Sequence, residues 1–413
     1  MSLSAHDRNR LNSTIEICVL FIFLGVFLGA CRGFSQVPLD AAPPPVDQAA
    51  TDGPSSPDSA PDSAVPACQA GEIFSADVDD YHEPGRHTAI AVEASGVIHI
   101  THYAAGPAPD MFGNGGYHDA RYSRYKDGAW QSEDIYESGV IGGEMAMALD
   151  GSGQVHLVFY DYQNKDLLYS TGMFGNWQSP ERIATEGIVG WGNDLVIDPQ
   201  GNIHVVTVSG EQESLIYLRR EKGEWQTGQP LASVSFGYQS GLALDKGGKL
   251  HASIISAGSL KHLSGEPTAF SEVEILEGGL KEAASDIATT FPGNVHLVYR
   301  DATDDLAYRE KIEGNWSEKR ILDSTSALSQ DFSIVASESA DLWVVYHDET
   351  AGDLRLSHRI DGKWRPPRSI DTAGHVGGYP SAALGPEGAL HIAHYNKDNR
   401  ALRYTRICPN AQQ

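Results

Sequence analysis

Basic residues are scarce in this chain. Lys and Arg number 30 against 55 Asp and Glu among 413 residues, a formal charge of −25. That balance removes the nucleic-acid binders, which need clustered cations. It also disfavours polyanionic glycans through long-range repulsion, although a local basic pocket could survive. Neutral sugars, cationic ligands, metal ions and other proteins stay open. A convincing membrane span is missing as well. The apolar run Ile17–Ala30 follows Arg8 and Arg10, but it is too short and wrongly flanked to cross a bilayer, so residues 1–30 read as a targeting segment. Residues 32–67 offer almost nothing to a core. Their Pro, Ala, Ser and Asp make a solvated, extended tether.

What the chain does have is a repeat. A His or Trp inside a short apolar strand returns at intervals of 45 to 57 residues: His99, His156, His204, His251, His296, Trp343, His391. In phase with it runs a second series, Trp130, Trp177, Trp225, Phe270, Trp316, Trp364. Eight residues before each of these lies a third: Tyr122, Tyr169, Tyr217, His262, Tyr308, Leu356. A period of this length with several short strands per unit predicts a β-propeller. In the second unit, Met145–Leu149 predicts an innermost strand A. Asp150–Gly153 is then a tight turn, Val155–Tyr160 strand B, Leu167–Ser170 strand C, and Trp177 to Ile183 strand D. The fold expected is all-β, with seven four-stranded antiparallel blades over residues 68–410.

The seventh unit stops after Tyr404, before its strand D. Phe74 lies 25 residues before His99, close to the spacing of the other Trp or Phe anchors. Residues 72–80 are therefore expected to form the outer strand of the last blade and to close the ring, which removes an exposed edge.

The run Leu28-Gly29-Ala30-Cys31 resembles the bacterial lipoprotein signal. That resemblance implies cleavage before Cys31, acylation of Cys31, and residues 31–67 as a lipid-anchored spacer. Arg32 after the Cys points to the outer membrane or cell surface. Of the 4 cysteines, Cys18 then leaves with the signal and Cys31 carries lipid. Cys68 and Cys408 remain, bracketing the repeats. An exported protein forms disulfides, so these two are expected to pair at the broken C–D turn. A loop above 300 residues closed this way constrains the unfolded chain by about 4–5 kcal/mol.

Three features repeat across the units: the His-Leu-Val-Phe-Tyr-Asp type of strand B, the Leu-Tyr of strand C, and the Gly-x-Trp at the C–D turn. With these, residues 72–407 resemble the seven-bladed propellers of exported bacterial proteins in the neuraminidase-repeat, or sialidase-like, superfamily. The Gly-x-Trp looks like a degenerate Asp-box, without the full Ser-x-Asp-x-Gly-x-Thr-Trp.

Residues shared by every unit hold the fold. A His at one strand position in six blades faces six equivalent crevices, so the His series is expected to satisfy core hydrogen bonds, and the aromatic series to pack blade on blade. Function belongs where symmetry breaks around the channel mouth, on the face of the D–A and B–C loops. Aligned units place His87, Glu144, Gly192, Gln239, Ala284, Asp331 and Tyr379 in a ring there. Trp191 and Tyr238 adjoin it. Ends of strand B add Tyr103, Tyr160, Arg300, His347 and Tyr395. This aromatic, acidic and imidazole-rich set suits sugar stacking and hydroxyl hydrogen bonds, although a wet funnel mouth would be polar in any case. Unit one adds a longer B–C loop within Ala104–Ala120, carrying Asp110, Asn114, His118 and Asp119, a candidate lid or a tolerated insertion.

Acidic pairs in the B–C loops (Asp161 and Asp166, Asp301 with Asp304 and Asp305, Asp348 and Asp353) offer oxygen ligands to calcium. Their spacing fits no compact calcium loop, and capping of their own turns is the expected role, so no cofactor and no metal site is assigned. A sialidase would need three arginines beside a tyrosine, and only Arg300, with Arg86 as a second candidate, fits the face. A glycosidase would use two carboxylates, Glu144 and Asp331. A polysaccharide lyase would use His87 as base and Arg300 as clamp, with Tyr379 and His347 of the required types. No such set amounts to a catalytic signature. The function expected is a surface-tethered, non-catalytic binding module for a glycan or protein, acting as a monomer and touching the membrane only through its lipid.

Overall fold

The computed structural model describes residues 64–105, 118–136, 140–234, 239–281, 283–324 and 328–409. The expected targeting run, Cys31, most of the expected spacer, Tyr238, and Asp110 and Asn114 of the blade-one loop lie outside these residues. Among the described residues there is no helix. The strands form seven antiparallel sheets of four strand positions each, a seven-bladed propeller.

Blade 1 runs Arg86–Val92, Ile98–Ala105, His118–Lys126 and Ala129–Tyr136 as strands A to D. Blade 2 begins with Ile141–Leu149, Val155–Asp161 and Asp166–Met173. The inner strands of blades 3 to 7 are Val189–Ile197, Gly241–Leu244, Ser285–Thr290, Leu328–Ala336 and Val376–Leu384. Strand A of blade 2 therefore starts four residues before the expected Met145, because it bends through the mouth before straightening. Strand D also differs from expectation. In blade 2 it breaks into Asn176–Trp177 and Glu181–Ala184, and blades 3, 5 and 6 break in the same place. Pro180 in blade 2 and Pro366–Pro367 in blade 6 sit in that gap, where a residue without an N–H cannot continue the ladder.

The three series meet as the repeat demands. Each ladder His bonds through Nδ1 to the third-series residue of its own blade: His99 to Tyr122 Oη at 2.6 Å, His156 to Tyr169 at 2.7 Å, His204 to Tyr217 at 2.8 Å. His296 to Tyr308 and His391 to Tyr404 repeat it at 2.7 Å, and His251 meets His262 at 3.1 Å. The other ring nitrogen faces the A–B turn, as with Glu93 at 2.9 Å from His99. Both nitrogens are thus occupied in His99, His156, His204, His251 and His296, while in His391 only Nδ1 is, and burial pushes the ladder imidazoles down towards neutrality. The third-series ring then takes the edge of the aromatic from the next blade: Tyr122 with Trp177, Tyr169 with Trp225, Tyr308 with Trp364, and Tyr404 with Trp130 across the seam. Each T-shaped pair adds about 0.5–1.5 kcal/mol beyond its buried area. In blade 6 Trp343 stacks on His358 instead, with ring centroids 4.7 Å apart.

The ring closes as expected. Ile73–Asp79 pairs antiparallel with Ala401–Ile407 as the outer strand of blade 7, with Phe74 opposite Arg406. Cys68 and Cys408 form the disulfide, their Cα atoms 5.7 Å apart. Next to it the Cys408 amide donates to the Glu72 carbonyl at 2.9 Å.

Candidate functional site

The mouth is built on a repeated irregularity of strand A. In blades 7, 1, 2 and 3 the pairing with strand B slips across Gly378/Ser381, Arg86/Ala89, Gly143/Ala146 and Trp191/Asp194. Inside each slip lies the ring residue, and each is in the left-handed region: Tyr379 at φ 50°, His87 at 48°, Glu144 at 52°, Gly192 at 56°. Three of the four are not glycine. Such residues are costly, and they gather where a bulge re-aims a side chain. Blade 6 slips between Leu328 and Phe332, around Asp331. In blades 4 and 5 the regular strand begins only beyond Gln239 and Ala284.

Hydrogen bonds from blade to blade hold this arc. At three of these positions the next residue donates to the ring carbonyl of the preceding blade: Thr88 Oγ1 to Tyr379 at 2.6 Å, Asn193 Nδ2 to Glu144 at 2.8 Å, and Ser240 Oγ to Gly192. The bulges are therefore set before any ligand arrives.

Six of the seven ring residues line one cavity of about 330 Å³: His87, Glu144, Gly192, Gln239, Asp331 and Tyr379, with Trp191 beside them. Ala284, fully buried, does not take part. His87 Nδ1 lies 3.6 Å from Glu144 Oε1, and the His87 and Tyr379 ring centroids are 4.8 Å apart. Glu144 Oε2 accepts from the Gly192 amide at 3.2 Å. Burial pushes the His87 imidazole down to about 4 against the pull of Asp331, so the ring is neutral near pH 7. Burial also raises the Glu144 carboxyl, opposed by the Gly192 amide. It carries Asp331 up to about 6, with His87 opposing and the Glu144 and Glu349 charges adding.

The remaining expected residues are placed differently. Tyr103 and Tyr160 are buried behind the cavity wall, not in its lining. They join Tyr162 and Trp191 in an aromatic cluster, Tyr103–Tyr162 at 6.2 Å, Tyr160–Tyr162 at 4.9 Å and Tyr160–Trp191 at 5.3 Å. Arg300 does not line the cavity. It is held by Asp304 at 2.8 Å and is no free clamp for a carboxylate. Tyr395 serves as a platform for Arg86, whose guanidinium lies 5.3 Å from the ring centre and also meets Glu83 at 3.4 Å. His347 is half-buried outside the lining. His118 lies at the start of strand C of blade 1.

Sequence reasoning missed Tyr162, Asn193 and the channel carboxyls. Tyr162 packs against Gly143, where a Cβ would collide with its hydroxyl. The Gly142-Gly143 pair opposite the end of strand B was the available signal. Asp194 and Asp286 sit two residues past the ring position in blades 3 and 5. They accept amides of the following blades, Leu242 N to Asp194 at 2.6 Å and Ile334 N to Asp286 at 2.9 Å. Gly241 lies between them, and a Cβ there would come within 2.8 Å of the Asp286 carboxylate. Burial pushes Asp194 up to about 8, with the Asp286 charge adding, and Asp286 up to about 7.

Both folded values lie above the unfolded carboxyl value. The native state therefore holds extra protons between about pH 4 and 8, and these two groups make stability fall as pH rises through that window. The double variant Asp194→Asn, Asp286→Asn is expected to match the parent near pH 4. At pH 9 it should exceed the parent by about 1–2 kcal/mol, less than the full shifts imply because both side chains keep some contact with the channel. Thermal midpoints across pH 4–9 check it, and parallel curves for the two proteins refute it.

The acidic pairs of the B–C loops cap their own turns. Asp161 Oδ1 accepts from Gln163 and Asn164 at 2.9 Å, Asp301 Oδ1 from Thr303 at 2.8 Å, and Asp348 Oδ1 from Thr350 and Ala351 at 3.0 Å. Among the described residues no group of three or more His, Cys, Asp or Glu is placed to hold a metal ion.

No family model matches the chain, and neither does any curated protein. Among solved structures it is similar to a fucose lectin from Aleuria aurantia with a six-bladed propeller, at 14% identity over 70% of this chain and 96% of that one, TM-score 0.49. It is similar to AofleA from Arthrobotrys oligospora at 13% over 76% and 93%, TM-score 0.47. With the NanB sialidase from Streptococcus pneumoniae it shares 12% over 83% and 71%, TM-score 0.47. At these identities and scores the likeness says nothing about a ligand.

Proposed function

We propose that the protein is a surface-tethered binding module that takes a carbohydrate in the channel-mouth cavity. The carrying observation is the cavity itself: five bulged inner strands bring aromatic and hydrogen-bonding side chains around about 330 Å³. Trp191 and Tyr379 supply stacking surface, and Glu144, Gln239 and Asp331 supply partners for hydroxyl groups. In this reading Cys31 is the lipid anchor, the protein is exported, and residues 31–67 are the spacer. The way the spacer joins the ring supports it. Val65 N donates to Tyr125 Oη at 3.1 Å, Pro66 O accepts from Arg406 at 2.7 Å, and Cys68 is bonded to Cys408. These contacts lie on the face of the A–B and C–D turns, opposite the mouth. The cavity thus opens away from the point of attachment.

The test uses the full chain purified in mild detergent and offered a panel of neutral, amino and acidic oligosaccharides. Retention without new ends supports a binder. Trp191→Ala and Tyr379→Ala are each expected to weaken it by about tenfold or more, as loss of a buried aromatic anchor does. New reducing ends would mean that Glu144 and Asp331 act as a glycosidase pair. No retention of any saccharide would overturn the glycan reading.

A further inference from the structure

We propose that the cavity recognises its ligand through an ammonium group and that, within the glycan reading on which this rests, the ligand is an amino sugar with a free amine. The argument is a count of donors and acceptors. The cavity lining includes two carboxyl groups, Glu144 and Asp331, and no Lys or Arg. One Glu144 oxygen holds the Gly192 amide, while the other faces His87 at 3.6 Å, beyond a good hydrogen bond. The Asp331 carboxylate accepts no hydrogen bond among the described residues. Asn193, in the same lining, adds a buried oxygen that nothing around it satisfies. Its Nδ2 is spent on the Glu144 and Gly190 carbonyls, both at 2.8 Å, which leaves Oδ1 without a partner in a side chain only 7% exposed. A buried acceptor with nothing to accept is costly. An ammonium brings three donors and no acceptor, the complement of this wall.

The surrounding charges agree. The nearest guanidinium, Arg86, is outside the lining, paired with Glu83 and lying over Tyr395. Glu83 in turn binds Arg400 at 2.7 Å. A uronate or sialate carboxylate would meet Glu144 and Asp331, and the cation at hand, Arg86, acts on His87 and Tyr379 from outside the lining and is already paired with Glu83. The faces of Trp191 and Tyr379 in the same lining favour a cation further, as does the overall charge of −25 at long range.

Binding is then linked to protons. Asp331 faces His87, Tyr379, Glu144 and Glu349, Glu144 faces His87, Tyr160, Tyr162, Tyr379 and the Gly192 amide, and Arg86 acts on His87 and Tyr379. Burial keeps the tyrosines protonated and His87 neutral, so the carboxyls carry the pH response. Affinity should weaken as pH falls through about 6, where Asp331 takes up its proton. It should weaken again once the ligand amine loses its own.

Calorimetry on the full chain with three probes decides the matter: a glucosamine oligomer, the same oligomer N-acetylated, and spermidine. The glucosamine oligomer is expected to bind about tenfold or more tighter than its acetylated form at pH 7, and to lose about tenfold by pH 5. Glu144→Gln and Asp331→Asn should each remove that preference without lowering the thermal midpoint. If a variant unfolds, the pH dependence and the acetylation contrast on the parent still decide. Equal binding of the two oligomers overturns the ammonium proposal and leaves the glycan reading standing. Binding of spermidine alone upholds the ammonium and overturns the glycan. Binding of none overturns both.

Discussion

Replacing Cys68 and Cys408 by serine is expected to lower unfolding stability by roughly 5 kcal/mol, the largest effect of any change considered for this fold. The bond spans 340 residues of sequence, so its loss frees nearly the whole chain from one closure. It also acts at a weak point. Every other blade has strands C and D joined by a short turn, whereas blade 7 takes its outer strand, Ile73–Asp79, from the other end of the chain. Without the covalent link that strand is held by its ladder to Ala401–Ile407, by the Ser75–Thr405 hydroxyl bond at 2.8 Å, and by the Asp77 carboxylate, which receives Asn396 and Arg403. Denaturant unfolding of the double serine variant checks the prediction. A loss below about 1 kcal/mol would mean that these contacts close the ring unaided. Limited proteolysis should cut the variant first near residues 68–80, since a strand released from an edge opens locally.

Arg121→Ala is expected to cost about 3–5 kcal/mol, because it strips the cation that pairs with two acids in the interior. Arg121 is 2% exposed and reaches Asp79 through Nε at 3.1 Å and Asp134 through Nη1, while its guanidinium lies 4.6 Å from the centre of the Tyr81 ring. His102 Nε2 completes the group, 3.5 Å from Asp79. Asp79 ends the strand borrowed by blade 7, whereas Arg121 and Asp134 belong to blade 1, so this buried cluster ties the seam from the other side. Removing the cation alone leaves Asp79 and Asp134 uncompensated. The triple change Arg121→Met, Asp79→Leu, Asp134→Leu is expected to recover most of the loss, because replacing a whole buried ion cluster by apolar groups is close to neutral. Chemical denaturation of both variants separates the outcomes. If Arg121→Ala costs no more than a surface change, the cluster is wet and the account fails.

Much of this was legible in the chain itself. The His, aromatic and Tyr series are periodic because each blade repeats the same local contacts, and a local contact leaves a local spacing. His99 to Tyr122, or Asp150 to the amide of Ser152 at 2.8 Å, are bonds within one unit, and they reappear unit after unit. The closing strand and the cysteine pair were legible for the same reason, since a missing strand in a repeat announces its own replacement. Six of the seven ring positions line the cavity because they occupy one register of the repeat.

What the sequence could not show is which of those positions do more than repeat. Arg300 has the right type and face, yet Asp304 four residues on holds it away from the mouth. Asn193 carries no repeat signature, and only its contacts with Glu144 and Gly190 leave its oxygen unsatisfied. The left-handed turns at His87, Glu144 and Tyr379 follow no glycine rule, and the carbonyls of Glu144 and Tyr379 accept hydrogen bonds from neighbouring blades. By itself, then, the sequence determined seven blades, their order, and the strand and disulfide that join the ends, because those depend on contacts within a unit. Which side chains share a cavity, and which charges there are already paired, was decided only when seven units met around one axis. Residues about 50 to 290 positions apart come within bonding distance there, and no spacing along the chain encodes that meeting.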